Sequence, residues 1–192
     1  MIRVISGKAK GRKLKMVPGD TTRPIMDRAK ENLFNILQWD VAGSVWLDLF
    51  AGTGQVGIEA LSRGAKRVVF IDLARAAIKV VHENLAHTDL AAGATVLQSN
   101  ALGYLSKRAP MLFDFIYVAP PQYKGIWVEV MAALDGQVEE WLTAEGQVIV
   151  QIAPKEWRER EKLDLKNLEV VDERKYGRTM FVFYARVGGE EE

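Results

Sequence analysis

The chain has 192 residues, 26 Lys+Arg against 25 Asp+Glu, 48% hydrophobic residues and no Cys. That length suits one domain with a small appendage, and the composition excludes wholesale disorder and collagen-like structure. Without Cys there are no disulfides, thiolate zinc sites or cysteine nucleophiles. No apolar run reaches the roughly 18 residues of a membrane span. With no signal peptide in view, the expected location is cytoplasmic.

The net charge of +1 hides an asymmetry. Residues 1–30 carry nine basic side chains (Arg3, Lys8, Lys10, Arg12, Lys13, Lys15, Arg23, Arg28, Lys30) against Asp20 and Asp27, which leaves the remainder net acidic. A basic arm on a mildly acidic body suits a polyanionic partner, and a solvated Lys-rich hairpin would read the same way.

In chain order, residues 3–6 and 12–17 read as short strands around the loop Gly7-Lys8-Ala9-Lys10-Gly11, a hairpin with glycine at both ends of its loop. Thr22-Arg23-Pro24 forces extended backbone. Met26, Ala29, Leu33, Phe34 and Leu37 then recur at helical spacing, and Gly43 closes the appendage. From Val45 strand and helix alternate: strands at 45–50, 67–71, Ala94–Gln98, Phe113–Val118 and 147–152, helices at 55–63, 73–86, 102–107 and 126–142. The second of these helices shows an apolar stripe of Leu73, Ala76, Ala77, Val80, Val81 and Leu85. Such alternation predicts parallel βαβ units with helices on both faces. Residues 168–174 and 179–187, joined by Lys175-Tyr176-Gly177-Arg178, predict a closing antiparallel hairpin. The domain boundaries expected are 1–43 for the appendage, 44–187 for the α/β body and 188–192 for a frayed tail.

Asp48-Leu49-Phe50-Ala51-Gly52-Thr53-Gly54-Gln55-Val56-Gly57 follows a strand and opens a helix, and Asp72 ends the next strand, 20 residues after Gly52. Glycines there let a ligand approach the backbone, and the second-strand carboxylate can bind both ribose hydroxyls. Gly-x-Gly-x-x-Gly is also the dinucleotide pattern. A carboxylate at Asp48 favours a ligand with an ammonium and a sulfonium, although such an acid could equally hydrogen-bond loop amides.

Leu47-Asp48-Leu49-Phe50-Ala51-Gly52-Thr53-Gly54 resembles motif I of the Rossmann-like methyltransferases. With Thr22-Arg23-Pro24, Asp27-Arg28, Glu31-Asn32-Leu33-Phe34-Asn35 and the terminal hairpin, the chain resembles the bacterial 16S ribosomal RNA guanine-N2 methyltransferase family (the RsmD type) along essentially its whole length. The resemblance implies a mostly parallel seven-stranded sheet with an antiparallel C-terminal hairpin strand, plus the N-terminal hairpin and helix. It implies S-adenosylmethionine as cofactor, held by Asp48, Phe50, Ala51, Gly52, Thr53, Gly54, Gln55 and Gly57 at the methionine end. Asp72 and Leu73 would lie at the ribose, and Asn100 and Ala101 at the adenine edge; Asn100 could equally be a helix N-cap.

Phe113–Val118 runs into Ala119-Pro120-Pro121-Gln122-Tyr123, where amino-methyltransferases of this type carry Asp/Asn-Pro-Pro-Tyr/Phe. A conjugated exocyclic amine is a poor nucleophile. A side-chain oxygen and a proline-framed carbonyl accept its N–H groups and aim its lone pair, while an aromatic ring stacks on the flipped base. Here Ala119 offers no acceptor, so Gln122 is assigned the amide oxygen and Tyr123 the stacking face. A surface Gln and a core-anchoring Tyr are the plain alternatives.

Other conspicuous residues read as structural. His82 and His87 are five apart and lack the i, i+4 spacing of a metal pair. Trp39 and Trp46 are expected to seal the appendage to the core, Trp127, Trp141 and Trp157 to pack helices, and residues 155–162 to form a solvated helical face.

The leading expectation is a monomeric, metal-free enzyme methylating a guanine N2 amine in 16S ribosomal RNA or a small-subunit particle. Arg3, Lys8, Lys10, Arg12, Lys13, Arg23 and Arg28 would contact RNA phosphates. The alternatives are a degenerate methyltransferase fold that only binds RNA, for which Ala119 speaks, and a nicotinamide-dependent oxidoreductase, against which Asp48 and Pro120-Pro121 speak.

Overall fold

A computed structural model of the chain describes residues 2–19 and 25–188. Thr22-Arg23-Pro24 and the expected tail from residue 189 lie outside the described residues. The chain divides into two compact units, residues 1–100 and 101–192.

In the first unit, β3 (Val45–Asp48), β4 (Arg67–Asp72) and β5 (Ala94–Gln98) run parallel with β4 in the middle. Val68, Val69, Phe70 and Ile71 of β4 are all buried, the continuous apolar run of a strand covered on both faces. The helices are α1 (Asp27–Leu37), α2 (Gln55–Ser62) and α3 (Arg75–Thr88). The α3 stripe is narrower than its spacing suggests. Ala77, Val80, Val81 and Leu85 are buried, whereas Ala76 is exposed and Leu73 precedes the helix.

The N-terminal strands are shorter than expected, only β1 (Ile2–Arg3) and β2 (Lys13–Leu14). The physical reason is a competing set of partners on α2. The amides of Ile5 and Ser6 donate to the Glu59 carboxylate at 2.8 and 3.0 Å, and those of Lys8 and Ala9 donate to the Ser62 carbonyl and Oγ. Gly7, at φ +84°, passes so close that a Cβ would lie 1.8 Å from the Ser62 carbonyl oxygen. Glu59 is fully buried and also meets Lys30 Nζ at 3.3 Å and Arg63 Nε at 2.8 Å. Burial pulls the Lys30 ammonium below its ordinary pKa, against the raising effect of Glu59. The basic hairpin is therefore fastened to α2.

Trp46 is buried and stacks on Phe34 of α1, centroids 5.6 Å apart. Trp39 corrects its expectation. It follows α1 in a 3-10 turn (Gln38–Val41), where it is 89% exposed and seals nothing; Val41 is the buried residue of that turn.

In the second unit, β6 (Phe113–Val118) pairs in parallel with β7 (Leu142–Ile152), and β7 in antiparallel with β9 (Thr179–Arg186), which also pairs with β8 (Leu168–Tyr176). Gly177, at φ +60°, makes the tight turn between β8 and β9. The sheet is seven-stranded and mostly parallel, with β9 antiparallel to its neighbours. The expected helix at 126–142 is two, α5 (Ile126–Asp135) and α6 (Val138–Trp141), after the short α4 (Ala101–Leu105). The break falls at Gly136-Gln137, where Gln137 leaves helical backbone at φ −146°; beside it the Asp135 carboxylate accepts the amides of Lys166, Asn167 and Leu168. Residues 155–162 are largely the solvated face expected, with Lys155, Arg158, Arg160, Glu161 and Lys162 exposed. They belong to a 3-10 helix (Pro154–Lys162) in which Glu156 is buried.

Among the described residues no helix is long and apolar enough to cross a membrane, and no three His, Cys, Asp or Glu side chains cluster as metal ligands would.

Candidate active site

The glycine loop leaves β3 at Asp48 and enters α2 at Gln55. Gly52 and Gly54 adopt φ +53° and +77°, and the Gly54 amide closes the turn on the Ala51 carbonyl at 2.7 Å. These are left-handed conformations that favour glycine. A Cβ on Gly52 would meet no atom within 4 Å, so the loop is open there to a ligand. Gly57 works differently: its Cβ would lie 2.3 Å from the Phe70 ring, so its role in the fold is to let α2 press on β4. Phe50 is half-buried, while Ala51, Thr53 and Gln55 are buried.

Asp48 is 2% exposed, and its Oδ1 has no hydrogen-bond partner among the described residues; neither has Oε1 of Gln55, at the start of α2. Burial pushes the Asp48 carboxyl up to about 7, the amides of Phe50 and Gly57 oppose this, and the charge of Asp72 adds to it. A buried acceptor without a donor, beside an open glycine loop, fits a ligand ammonium. Asp72 takes the Gly52 amide on Oδ2 and the Ala74 amide on Oδ1, both at 2.8 Å. Each carboxylate oxygen keeps a second acceptor direction, which suits paired ribose hydroxyls. Leu73 is exposed next to it, and Asn100 is exposed just before α4.

Sequence reasoning passed over Asn84. It is fully buried on α3, where Nδ2 donates to the Thr53 carbonyl at 2.9 Å and to the Lys15 carbonyl at 3.1 Å, and Oδ1 accepts the Lys15 amide at 2.8 Å. Its only signal was an Asn interrupting the apolar stripe between Val81 and Leu85.

Several cations of the basic arm already have partners. Arg3 pairs with Asp27 at 2.9 Å, Arg12 donates to the His87 carbonyl, and Lys15 pairs with Glu83. Lys8, Lys10 and Lys13 are exposed and have no ion-pair partner among the described residues. Arg28 is exposed, and Arg23 lies outside the described residues.

In the second unit, Ala101 is buried at the start of α4. β6 delivers Ala119 half-buried, Pro120 buried and Pro121 half-buried, followed by an exposed turn at Gln122 and Tyr123. Tyr123 is 65% exposed at φ +62°, so it is not a core anchor. Glu156, from the 3-10 helix, accepts the Tyr123 amide at 2.7 Å.

The strand arrangement, the glycine loop and the acid ending the second parallel strand define a Rossmann-like methyltransferase fold, for which S-adenosylmethionine is the expected cofactor. The chain belongs to the family described as Conserved hypothetical protein 95, which matches residues 2–185. It is 43% identical over 122 residues to YlbH of Bacillus subtilis (strain 168), by name a proposed rRNA methyltransferase, over 62% of this chain and 66% of that one. It is 36% identical over 150 residues to the ribosomal RNA small subunit methyltransferase D of Escherichia coli (strain K12), over 78% of this chain and 74% of that one. The solved structure of yhhF from Escherichia coli, by name a proposed methyltransferase, superposes with TM-score 0.81 at 32% identity, over 96% of this chain and 97% of that one.

Proposed function

We propose that the protein methylates the exocyclic N2 amine of a guanine in 16S ribosomal RNA, alone or in a small-subunit particle, and does so as a cytoplasmic monomer. The observation that carries the reading is the buried, unpartnered Asp48 Oδ1 at the open glycine loop. An acceptor placed there favours the cationic methionine end of S-adenosylmethionine over a nicotinamide dinucleotide. The names of the relatives support ribosomal RNA as the substrate class, and the guanine N2 position follows the resemblance in the sequence.

Bound S-adenosylmethionine would supply an electrophilic methyl group to the amine nitrogen's lone pair, with the neutral thioether as leaving group. Asp48 and the loop from Phe50 to Gln55 would hold the methionine end, Asp72 and Leu73 the ribose, and Asn100 with Ala101 the adenine edge. The Pro120 carbonyl, held rigid by two prolines, accepts one amine hydrogen. Gln122 supplies the side-chain acceptor that Ala119 lacks, and Tyr123 stacks on the base. The amine becomes acidic once methylated, so its proton passes to water, and orientation is the chain's main contribution. Residues 1–43 form the RNA-gripping appendage and 44–187 the catalytic body.

Ala119 favours one second reading, a fold that binds ribosomal RNA without catalysis. Labelled methyl transfer to undermethylated small-subunit particles, with mass-spectrometric mapping of the modified nucleoside, separates the two. Incorporation at a guanine N2 supports the enzyme; binding without incorporation supports the second reading; methylation elsewhere refutes the guanine assignment.

A further inference from the structure

Tyr123 is one of three non-glycine residues with positive φ among the described residues, and it stands in the turn assigned to the target base. A side-chain-bearing residue at φ +62° is held there against its own preference, so some contact must select that conformation. The contact is the 2.7 Å hydrogen bond from the Tyr123 amide to Glu156 Oε1. Glu156 is 2% exposed and lies 33 residues further along the chain. Its other oxygen accepts the Ala153 amide at 2.8 Å and caps the 3-10 helix (Pro154–Lys162). Capping needs one oxygen; the second reaches the turn. Two further contacts join the same pieces of chain. A Cβ on Gly125, at φ +67°, would lie 3.3 Å from Glu159 Oε2, and the rings of Trp127 and Trp157 are 6.0 Å apart. The 3-10 helix thus lies against Tyr123, Gly125 and Trp127.

We propose that Glu156 is a positioning residue for the methyl-transfer reaction: its carboxylate fixes Tyr123 in the left-handed turn that presents the aromatic ring, and the neighbouring Gln122 amide, to the target base. The inference rests on the functional reading above, which places the base at this turn. A buried carboxylate suits the task because its geometry is set by the 3-10 helix it caps, and a charge-assisted bond to an amide is short and directional. The tyrosine ring then stays outside the core, 65% exposed, where a flipped base can stack on it.

The test compares Glu156→Ala and Glu156→Gln with Asp135→Ala, which removes a buried carboxylate holding residues 166–168, away from the turn. With small-subunit particles and labelled cofactor, Glu156→Ala is expected to lower the single-turnover rate by roughly 10- to 100-fold while S-adenosylhomocysteine affinity stays within about twofold. Asp135→Ala, at a similar loss of thermal stability, keeps a near wild-type rate. Glu156→Gln retains one acceptor oxygen and falls between. Hydrogen exchange at the Tyr123 amide provides a readout independent of activity: slow in wild type, intermediate in Glu156→Gln and fast in Glu156→Ala. Wild-type turnover in Glu156→Ala, an equal rate loss in Asp135→Ala, or identical Tyr123 exchange in wild type and Glu156→Ala would each overturn the proposal. A wild-type protein that methylates no particle refutes the functional reading instead, and amide exchange still decides whether Glu156 holds the turn.

Discussion

Asn84 donates its side-chain amide to the carbonyl of Thr53, so the middle of the glycine loop is suspended from α3. The same amide group pairs with both backbone polar groups of Lys15, much as a neighbouring strand would, and thereby joins the basic hairpin to the cofactor loop. Asn84→Ala orphans the Thr53 carbonyl and both Lys15 groups at once. The expected cost is about 3 kcal/mol of stability, or a fall in Tm of about 6–12 °C at roughly 2–4 °C per kcal/mol for a domain of this size. S-adenosylhomocysteine affinity should drop by roughly fivefold or more, because the loop loses its preorganisation. Scanning calorimetry and titration calorimetry check the two effects, and unchanged affinity would detach Asn84 from the cofactor loop.

Asp48 should make cofactor binding and protein stability respond to pH in opposite directions. Its folded pKa is raised to about 7 by burial, from an ordinary carboxylate value of 3.8. Between those two values the folded apoprotein holds a proton that the unfolded chain has released. This part of the stability is therefore greatest at low pH and declines as pH rises through the window. A ligand ammonium needs the ionised form, so S-adenosylhomocysteine affinity should rise by about tenfold from pH 6 to pH 8. Asp48→Asn should flatten both trends. A wild-type affinity independent of pH would mean that Asp48 does not face the ammonium.

Asp72 has two duties that can be separated. Its oxygens hold the amides of Gly52 and Ala74 and would also take the ribose hydroxyls. Asp72→Ala should weaken S-adenosylhomocysteine by roughly 1.5–3 kcal/mol, about 10- to 150-fold. The variant should discriminate less than wild type against a ligand lacking the 2′-hydroxyl. Equal affinity of wild type and Asp72→Ala in titration calorimetry would place the ribose elsewhere.

Lys8, Lys10 and Lys13 are exposed arm cations with no ion-pair partner among the described residues, whereas Arg3 and Arg12 already have partners in the protein. Replacing the three with Ala should flatten the plot of log affinity for RNA against log salt by about two units, using the single-strand coefficient. Cofactor affinity should not change, because these side chains make no contact with the glycine loop among the described residues. Arg12→Ala should act mainly on stability, through the lost contact with His87. An unaltered salt slope in the triple variant would move the RNA contact surface off the hairpin.

Much of the architecture was legible in the residue order, and the reason is periodicity. Val45, Trp46, Leu47 and Asp48 lead into glycines, and the later apolar runs recur at helix-length intervals, which can only be buried as parallel strands with helices between them. The loop from Asp48 to Gly57 and the acid at Asp72 were equally visible, because a phosphate-free nucleotide end needs glycine and carboxylate at set distances along the chain. Contacts distant in sequence were not. The hairpin is short because Glu59 and Ser62 take its amides, the Asp135 carboxylate binds amides of residues 166–168, and Trp39 remains exposed where an aromatic residue was expected to pack. Asn84 and Glu156 read as an ordinary polar residue in a helix and one charge in a charged run; only the tertiary structure buries them and directs their side chains at Thr53 and Tyr123. Local spacing determines which elements form. Burial of a polar side chain depends on which remote backbone groups are left without partners, and that is decided when the elements pack.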